Sequence, residues 1–252
     1  MIKVAVCGAN GRMGTTIAGL VMEADDLEFT GGIDLKNGEL FGREIVTPGE
    51  INAFLTEKKP DVLIDFTIAA AAVENIRAAA ECGVALVVGT TGFTEDQLEA
   101  NRRAIENRVP AVISSNFSIG VNIFWRLVRE AAKQLGEYDV EVIEAHHRYK
   151  KDAPSGTAKT IIEVLKEELG DKETKYGREG MMERGKEIGV HVIRGGDIVG
   201  DHTVLFAGNH ECIEISHRAY DRAVFAQGAV RSARWVAGKK PGIYSMSDVL
   251  GI

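Results

Sequence analysis

Several features that define other classes of protein are scarce or absent in this chain of 252 residues. No apolar stretch is long enough for a membrane helix, and the first residues lack the apolar run of a secretory signal. Proline is scarce, with 5 residues, which argues against a disordered Pro/Gly-rich chain. Basic residues do not predominate, and the net charge of -7 argues against a surface that coats nucleic acid. We therefore expect a cytoplasmic protein that binds neither nucleic acid nor a membrane.

Cysteine is also rare, with Cys7, Cys82 and Cys212 widely spaced along the chain. An odd number without a C-x-x-C pair argues against both a disulfide framework and a zinc site. We expect three small core residues in a reducing compartment, because free cysteines are usually buried.

Glycine, in contrast, is abundant, with 28 residues. In the first half of the chain, short apolar β-branched runs alternate with segments of helical spacing, which predicts βαβ units and a parallel sheet. The predicted strands are 2–7, 27–33, 62–66, 84–88 and 111–114, and the predicted helices are 12–24, 48–57, 69–81 and 94–107.

The pattern changes after Asn116 and predicts an α+β half with an open mixed, largely antiparallel sheet. The Gly208-Asn209 pair lies between two alternating runs and signals a hairpin. Residues 171–187 are charged and contain several glycines, and we interpret them as a long exposed loop. The predicted helices are 121–135, 157–169 and 222–237, and the predicted strands are 139–145, 190–194, 203–207 and 211–217.

Gly8, Gly11 and Gly14 form a loop between the first strand and the first helix. Gly8 permits a tight turn, Gly11 lets backbone amides approach a pyrophosphate, and Gly14 lets the helix and strand pack closely. Asp34 lies 20 residues after Gly14, where a carboxylate accepts hydrogen bonds from an adenosine ribose. The arrangement predicts dinucleotide binding. A structural turn is the alternative, because the G-x-x-G-x-x-G spacing departs from the commoner motif.

The cofactor preference stays open at this level. Asp34 suits NADH because it would repel a ribose 2′-phosphate, whereas Lys36 could meet that phosphate, so we expect either cofactor to be usable. The Gly89-Thr90-Thr91-Gly92 segment follows another predicted parallel strand, at the sheet edge where cofactors bind in open α/β folds.

A basic, histidine-bearing loop follows the strand that ends at Ala145. Residues 146–159 contain four basic side chains and one acidic side chain, and this local positive charge suggests a small anionic substrate. His146 and Lys150 are able to donate a proton near neutral pH if their environment tunes them. Ser155-Gly156-Thr157 opens a helix whose first amides can hold a carboxylate, although Ser155 could be only a cap.

Six segments together resemble the 4-hydroxy-tetrahydrodipicolinate reductase (dihydrodipicolinate reductase) family over nearly the whole chain. They are GANGRMG at 8–14, DFT at 65–67, GTTG at 89–92, SSNFSIGVN at 114–122, EAHHRYKKDAPSGTAK at 144–159, and GDH with FAGNHECIEISHRA between 200 and 219. The resemblance implies an NAD(P)H-dependent reductase of lysine biosynthesis through diaminopimelate, with loss of water from its cyclic dicarboxylate substrate.

The resemblance also implies an architecture. Residues 1–117 would form a Rossmann-type dinucleotide-binding domain, residues 118–221 a substrate-binding and oligomerisation domain of a homotetramer, and residues 222–252 a segment that packs back on the Rossmann domain.

The resemblance further implies roles for individual residues. His146 and Lys150 would be catalytic, and no metal ligand is implied. Cofactor contacts would come from Gly8, Ala9, Asn10, Gly11, Arg12, Met13, Asp34, Gly89, Thr90, Thr91, Ser114, Ser115, Asn116 and Phe117, with Lys36 added for a 2′-phosphate, and substrate contacts from His147, Gly156 and Thr157.

Two positions depart from the pattern of many members. Tyr149 stands where many carry a third histidine, which puts a proton relay through that position in doubt, and Leu35 stands where some carry an arginine for the 2′-phosphate. Two other functions remain open: another two-domain dehydrogenase, such as a semialdehyde dehydrogenase with a cysteine nucleophile, or a dinucleotide sensor without catalytic activity.

Overall fold

A computed structural model describes all 252 residues and divides the chain into two compact units. Unit 1 contains Met1–Ile119 together with Ala223–Ile252, and unit 2 contains Gly120–Arg222. The chain therefore leaves unit 1 once and returns to it for its last segment. None of the helices is both long and apolar enough to cross a membrane.

The helices and strands are numbered in chain order. Up to residue 113 they are β1 (Ile2–Cys7), α1 (Arg12–Met22), β2 (Leu27–Ile33), β3 (Gly38–Leu40), β4 (Arg43–Val46), a 3-10 turn (Pro48–Glu50), α2 (Ile51–Lys58), β5 (Val62–Asp65), α3 (Ala69–Glu81), β6 (Ala85–Val88), α4 (Glu95–Ile105) and β7 (Pro110–Ile113). The later elements are α5 (Ile119–Gln134), β8 (Asp139–His146), α6 (Gly156–Leu169), β9 (Thr174–Tyr176), β10 (Ile188–Arg194), β11 (Gly200–Ala207), β12 (Cys212–Ala219), α7 (Ala223–Val236), β13 (Gly242–Tyr244) and α8 (Met246–Leu250).

Unit 1 is built on an eight-stranded sheet in the order β13-β7-β6-β5-β1-β2-β4-β3. Every pairing is parallel except that of β3 with β4. The central strands are buried apolar runs, as expected where helices cover both faces of a parallel sheet. From β1 the chain continues to β2 on one side and later to β5 on the other, so the strand order reverses at β1. Ligands bind at such a point in open α/β sheets. The predicted α/β class is confirmed.

Two apolar clusters lie on the two faces of this sheet. One includes Ile17 and Val21 of α1 together with Ala226 and Ala229 of α7. The other includes residues of α2, α3 and α4. Gly228 lies where α7 approaches the backbone of Phe117 so closely that an added Cβ would stand 1.7 Å from its carbonyl oxygen. The last segment therefore forms part of the core of unit 1.

Unit 2 contains a five-stranded sheet in the order β12-β11-β8-β10-β9. β11 pairs antiparallel with β12 and β8, whereas β10 pairs parallel with β8 and β9, so the sheet is mixed as predicted. Its core cluster joins Val142, Val204 and Phe206 of the sheet to Phe124 of α5 and Ile161 of α6. The helices thus cover one face of the sheet.

Two sequence-based expectations are wrong. Residues 171–187 are not loop throughout, because Thr174–Tyr176 forms β9 against β10. Of the three cysteines only Cys7 is buried, while Cys82 and Cys212 are exposed. Cys82 caps the end of α3 and Cys212 begins an edge strand, and both positions face solvent.

Candidate active site

The glycine loop after β1 takes the tight form that its spacing predicts. Gly8 has a φ of +74°, a conformation that favours glycine, and its N–H donates to the Ile33 carbonyl at the end of β2. An added Cβ at Gly14 would lie 2.0 Å from the Gly8 carbonyl oxygen, so only glycine lets α1 begin this close to the loop. Gly11 precedes α1 without a side-chain cap, and no acidic residue lies in the first turn.

A cavity of about 430 Å³ opens beside this loop, within unit 1. Its lining includes Gly8, Gly11 and Asp34, with Leu35 and Ile68 as exposed apolar walls. A phosphate at this loop would meet first-turn amides and the positive end of the α1 dipole. The residues present therefore fit the nucleotide part of a dinucleotide cofactor.

Asp34 lies directly after β2, and two backbone amides hold its carboxylate. Oδ2 accepts from the Asn10 N–H at 2.7 Å, and Oδ1 accepts from the Leu35 N–H at 2.7 Å. A carboxylate has about four acceptor positions, so lone pairs remain for a ribose hydroxyl. Asp34 thus tethers the glycine loop as well as facing the cavity.

The carboxyl ends of β5 and β6 are joined by Asp65, which is fully buried. Oδ1 accepts from Thr90 Oγ1 at 2.6 Å, from Thr67 Oγ1 at 2.8 Å and from the Thr67 N–H at 3.0 Å, and Oδ2 accepts from Asn75 Nδ2 at 2.7 Å. Thr90 therefore acts through its side chain as an anchor of the loop. Sequence reasoning assigned no role to Asp65, although it belongs to one of the quoted motifs.

Cys7 is paired with Asp65 across β1 and β5. Burial raises the pKa of the Cys7 thiol well above its ordinary value, and the neighbouring Asp65 raises it further. A buried thiol that stays protonated is a poor nucleophile. Cys7 therefore does not suit the cysteine nucleophile of a semialdehyde dehydrogenase.

The remaining predicted cofactor residues differ in how far they are exposed to solvent. Ala9 and Phe117 are buried in the core, with 0% and 1% of their surface exposed. Ser114 Oγ donates to the Asn116 carbonyl at 2.8 Å, which shapes the turn after β7. The side chains of Asn10, Arg12, Lys36, Thr91 and Ser115 are exposed, and those of Met13, Ser114 and Asn116 are half-buried.

In unit 2, β8 carries Glu144 and His146 on the same face of the sheet, because side chains two residues apart in a strand point the same way. Glu144 is fully buried, and His146 is 9% exposed. His146 Nδ1 lies 2.6 Å from Glu144 Oε2. Glu144 is also held from β10, where Arg194 forms a two-pronged ion pair with it at 2.8 and 2.9 Å.

Burial opposes ionisation of Glu144, but hydrogen bonds from His146, Arg194 and the Ser155 amide outweigh it and lower the pKa of this carboxyl to about 2. Glu144 is therefore a carboxylate at neutral pH and can only accept hydrogen bonds. The proton between the two groups belongs to His146, and Nδ1 donates to Glu144.

Lys150 is linked to the same network. Its Nζ lies 2.9 Å from Asp152 Oδ1, and the Asp152 carbonyl accepts from Arg194 Nη2 at 2.6 Å. Burial opposes ionisation of Asp152, but the Lys150 ammonium outweighs it and lowers the pKa of this carboxyl. The two predicted catalytic residues are thus connected through Arg194.

The start of α6 is also part of this network. Ser155 donates its N–H to Glu144 Oε1 at 2.9 Å and caps α6 by accepting from the Ala158 N–H at 3.2 Å. Gly156 and Thr157 follow in the first turn of α6, at the positive end of the helix dipole. His147 is half-buried, with its ring 6.3 Å from that of Tyr149.

His202 of β11 completes the cluster. Its Nε2 lies 3.1 Å from Ser155 Oγ, and its ring meets that of His146 edge-on with centroids 5.1 Å apart. Burial, reinforced by the electrostatic effect of the neighbouring His146, lowers the pKa of His202 to about 3. Sequence reasoning missed His202, Glu144 and Arg194 as site residues; the Glu144–His146 spacing on one strand could have revealed Glu144.

The fold and the site define a class: an α/β nucleotide-binding unit joined to a mixed α+β unit with an acid–base cluster. Dehydrogenases that share this fold include the scyllo-inositol dehydrogenase of Lactobacillus casei (TM-score 0.63, 13% identity, 99% and 92% of the two chains).

Comparison with known proteins identifies the family. The family model "Dihydrodipicolinate reductase, N-terminus" matches residues 2–117, and "Dihydrodipicolinate reductase, C-terminus" matches residues 120–250. The chain belongs to this family and is an NAD(P)H-dependent oxidoreductase.

The relatives include the 4-hydroxy-tetrahydrodipicolinate reductases of Methanoculleus marisnigri (71% identity, 100% of both chains) and Methanocaldococcus jannaschii (51%, 100% of this chain and 98% of the relative). A dipicolinate-bound dihydrodipicolinate reductase from Paenisporosarcina sp. TG-14 has a TM-score of 0.82 at 27% identity over 97% of each chain.

Proposed function

We propose that the enzyme reduces 4-hydroxy-tetrahydrodipicolinate to tetrahydrodipicolinate with loss of water, in the diaminopimelate route to lysine. One observation carries the proposal: buried Glu144 joins the proton-bearing ring of His146 to the start of α6 through the Ser155 amide. A proton carrier and an anion-binding helix start are therefore fixed to each other, which is what reduction of a dicarboxylate requires.

Substrate binding falls to the basic loop and the start of α6. We assign one substrate carboxylate to the first-turn groups of Gly156 and Thr157 and add a contact from His147. The local excess of basic side chains favours a dianion even though the whole chain is acidic. Charge-assisted hydrogen bonds of this kind are about twice as strong as neutral ones.

Lys150 and His146 carry the acid–base chemistry. Loss of the 4-hydroxyl as water leaves a double bond to C4 that is conjugated with the ring imine, and a bound nicotinamide would supply the hydride that adds at C4. The negative charge that forms spreads over the α-carbon and ring nitrogen, where the Lys150 ammonium stabilises it and delivers a proton. His146 exchanges a proton through Nε2, because its Nδ1–H is committed to Glu144.

The cofactor contacts are assigned to unit 1, and either NADH or NADPH fits its charges. Asp34 faces the cavity and suits the free ribose of NADH, while exposed Lys36 offers a charge to the 2′-phosphate of NADPH. Beside these two residues, the proposed contacts are Gly8, Ala9, Asn10, Gly11, Arg12, Met13, Gly89, Thr90, Thr91, Ser114, Ser115, Asn116 and Phe117.

We also propose a homotetramer assembled through unit 2. The sheet face opposite α5 and α6 carries Ile143, Leu205 and Ile193, and Ile193 is 49% exposed. Exposed apolar sheet faces are characteristic of interaction surfaces. Light scattering should give four times the monomer mass of 27.3 kDa.

The exposed thiols of Cys82 and Cys212 fit a reducing cytoplasm.

A coupled assay tests the function. Aspartate semialdehyde, pyruvate and the synthase that condenses them supply the substrate, and oxidation of NADH and NADPH is followed separately. We expect Lys150→Ala to lower kcat by about 100-fold or more, since a positioned proton donor contributes that much, while cofactor binding persists. The matched control is Lys166→Ala, which removes another lysine of unit 2 that pairs with a single aspartate.

Full turnover by Lys150→Ala would remove the role assigned to Lys150. Oxidation of cofactor that needs no synthase but only a semialdehyde would favour the alternative dehydrogenase.

A further inference from the structure

Glu144 has an unusually complete set of partners for a buried carboxylate. Oε1 accepts from the Ser155 N–H and from Arg194 Nη2, both at 2.9 Å. Oε2 accepts from Arg194 Nη1 at 2.8 Å and from His146 Nδ1 at 2.6 Å. Four donors thus match the four acceptor positions of a carboxylate. The charge of this group is compensated, and no position on it remains for substrate.

We propose that Glu144 and Arg194 are a positioning pair that holds the His146 ring in its Nδ1–H tautomer, so that Nε2 is the atom that exchanges the catalytic proton. The inference rests on the proposed function only in taking His146 as a proton carrier. Neither residue of the pair touches the substrate in this assignment; both act through His146.

The chemistry of the pair fixes the tautomer. A carboxylate cannot donate, so the ring nitrogen that faces Glu144 must carry a proton, and the lone pair of neutral His146 falls on Nε2. The guanidinium of Arg194 fits both carboxylate oxygens at once, which sets the orientation of the carboxylate as well as its charge. A lysine at this position would supply charge without the planar fork.

The opposite nitrogen of the ring lies beside a glycine. An added Cβ at Gly200 would stand 3.1 Å from His146 Nε2, so the absence of a side chain at this position leaves room next to the proton-exchanging atom. The ring of His202 approaches His146 edge-on and bonds instead to Ser155. His202 therefore confines the ring laterally while leaving its hydrogen bond to Glu144 unchallenged.

Arg194 also contacts the loop that carries Lys150. Its Nη2 also donates to the carbonyl of Asp152, whose side chain pairs with Lys150. The Arg194 guanidinium thus bonds to Glu144, which orients His146. It also bonds to the backbone of Asp152, whose side chain pairs with Lys150. A loss of Arg194 should affect both proton-transfer groups, whereas Glu144→Gln keeps an oxygen for the Ser155 amide and should act chiefly through His146.

The tautomer is measured directly by 15N NMR of the histidine side chains. The chain has six histidines, and the His146 signals are identified by their absence from His146→Gln. We expect a single Nδ1–H form of His146 in the wild-type protein and a mixture of both tautomers in Glu144→Gln. Glu144→Asp, which keeps the carboxylate, should restore part of the Nδ1–H population.

Kinetics separate positioning from binding. We expect Glu144→Gln and Arg194→Lys to lower kcat by about 10- to 100-fold, as loss of an orienting partner typically does, with little change in the KM for substrate or the Kd for NADH. Glu141→Gln is the matched control, because Glu141 lies on the same strand and also holds a histidine, His191, at 2.8 Å, together with arginine partners. It should keep the wild-type kcat.

An unchanged His146 tautomer in Glu144→Gln would overturn the proposal, as would a rise in KM at constant kcat in Glu144→Gln or Arg194→Lys. If Glu144→Gln does not fold, the kcat of Arg194→Lys decides the question, and a wild-type value overturns the proposal. A wild-type enzyme that fails to reduce the substrate would defeat the proposed function, but the NMR result would still decide how His146 is held.

Discussion

Asp34 combines two tasks in one side chain. Its oxygens accept from the Asn10 and Leu35 amides, and it faces the cavity where a ribose would bind. We expect Asp34→Ala to weaken NADH binding by about 10- to 100-fold, the loss of a hydrogen bond to a charged group. NADPH should lose less, because the substitution also removes a charge that repels the 2′-phosphate. Fluorescence titration with each nucleotide measures the two effects.

The control for Asp34 is Asp25→Ala, which removes an exposed aspartate from the turn before β2. Equal losses for NADH and NADPH would mean that Asp34 acts only by tethering the glycine loop. The amide contacts make some loss for both nucleotides expected, so the ratio of the two Kd changes is the deciding quantity.

His202 makes stability depend on pH in a predictable direction. Burial lowers its pKa from 6.5 to about 3. Between these two pH values the histidine therefore binds a proton in the unfolded chain but stays neutral in the folded protein. The free energy of unfolding should therefore fall with pH below 6.5, by about 1.4 kcal/mol per pH unit from this residue. Urea unfolding of wild type and His202→Gln between pH 6.0 and 5.0 should show a shallower slope in the variant.

The quantity to compare is the change in unfolding free energy per pH unit, since His202→Gln also removes the contact with Ser155 and lowers stability at every pH. His210→Gln changes an exposed histidine of the β11–β12 turn and should leave the slope unaltered. Parallel stability curves for wild type and His202→Gln would contradict the prediction.

At the scale of elements, the long helices and buried strands were predictable because their signals are local. β1, β2 and α3 have the predicted bounds, since each is a continuous periodic run between turn residues. The Thr94 capping box opens α4 as predicted, and β11 and β12 form the hairpin that Gly208-Asn209 signals. In these segments the local pattern and the tertiary packing agree.

The elements that were not predicted are short and depend on distant neighbours. β13 has three residues and exists as a strand because it pairs with β7, which lies more than a hundred positions earlier in the chain. β3, β4 and β9 are also three or four residues long. Only α8 carried a usable local signal, the capping box of Ser245 and Asp248.

In the candidate site too, local motifs could be predicted and contacts between distant segments could not. The glycine loop and the loop after His146 could be identified because each is a continuous motif. The Glu144–Arg194 pair could not, since it joins β8 to β10 across 50 positions and depends on strand pairing. Asp65 likewise acts through Thr67, Asn75 and Thr90, which come from three different segments.

At the scale of the whole molecule, the return of the chain to unit 1 has a consequence for cofactor binding. α7 shares a buried cluster with α1, the helix that the glycine loop begins, and Arg234 of α7 pairs with Asp26 through bonds of 2.6 and 2.8 Å. Removal of Ala223–Ile252 would expose the apolar residues of this face and leave β7 as an open edge. Exposed edges and apolar patches favour aggregation.

We therefore expect a chain that ends at Arg222 to lose NADH binding, even though every proposed cofactor contact lies before residue 118. A chain that ends at Leu250 is the control, because it keeps α7, β13 and α8 and lacks only two exposed residues. Nucleotide titration and limited proteolysis compare the two proteins. Wild-type affinity for NADH in the chain ending at Arg222 would mean that residues 1–119 form the nucleotide unit unaided, and that the last segment serves another purpose.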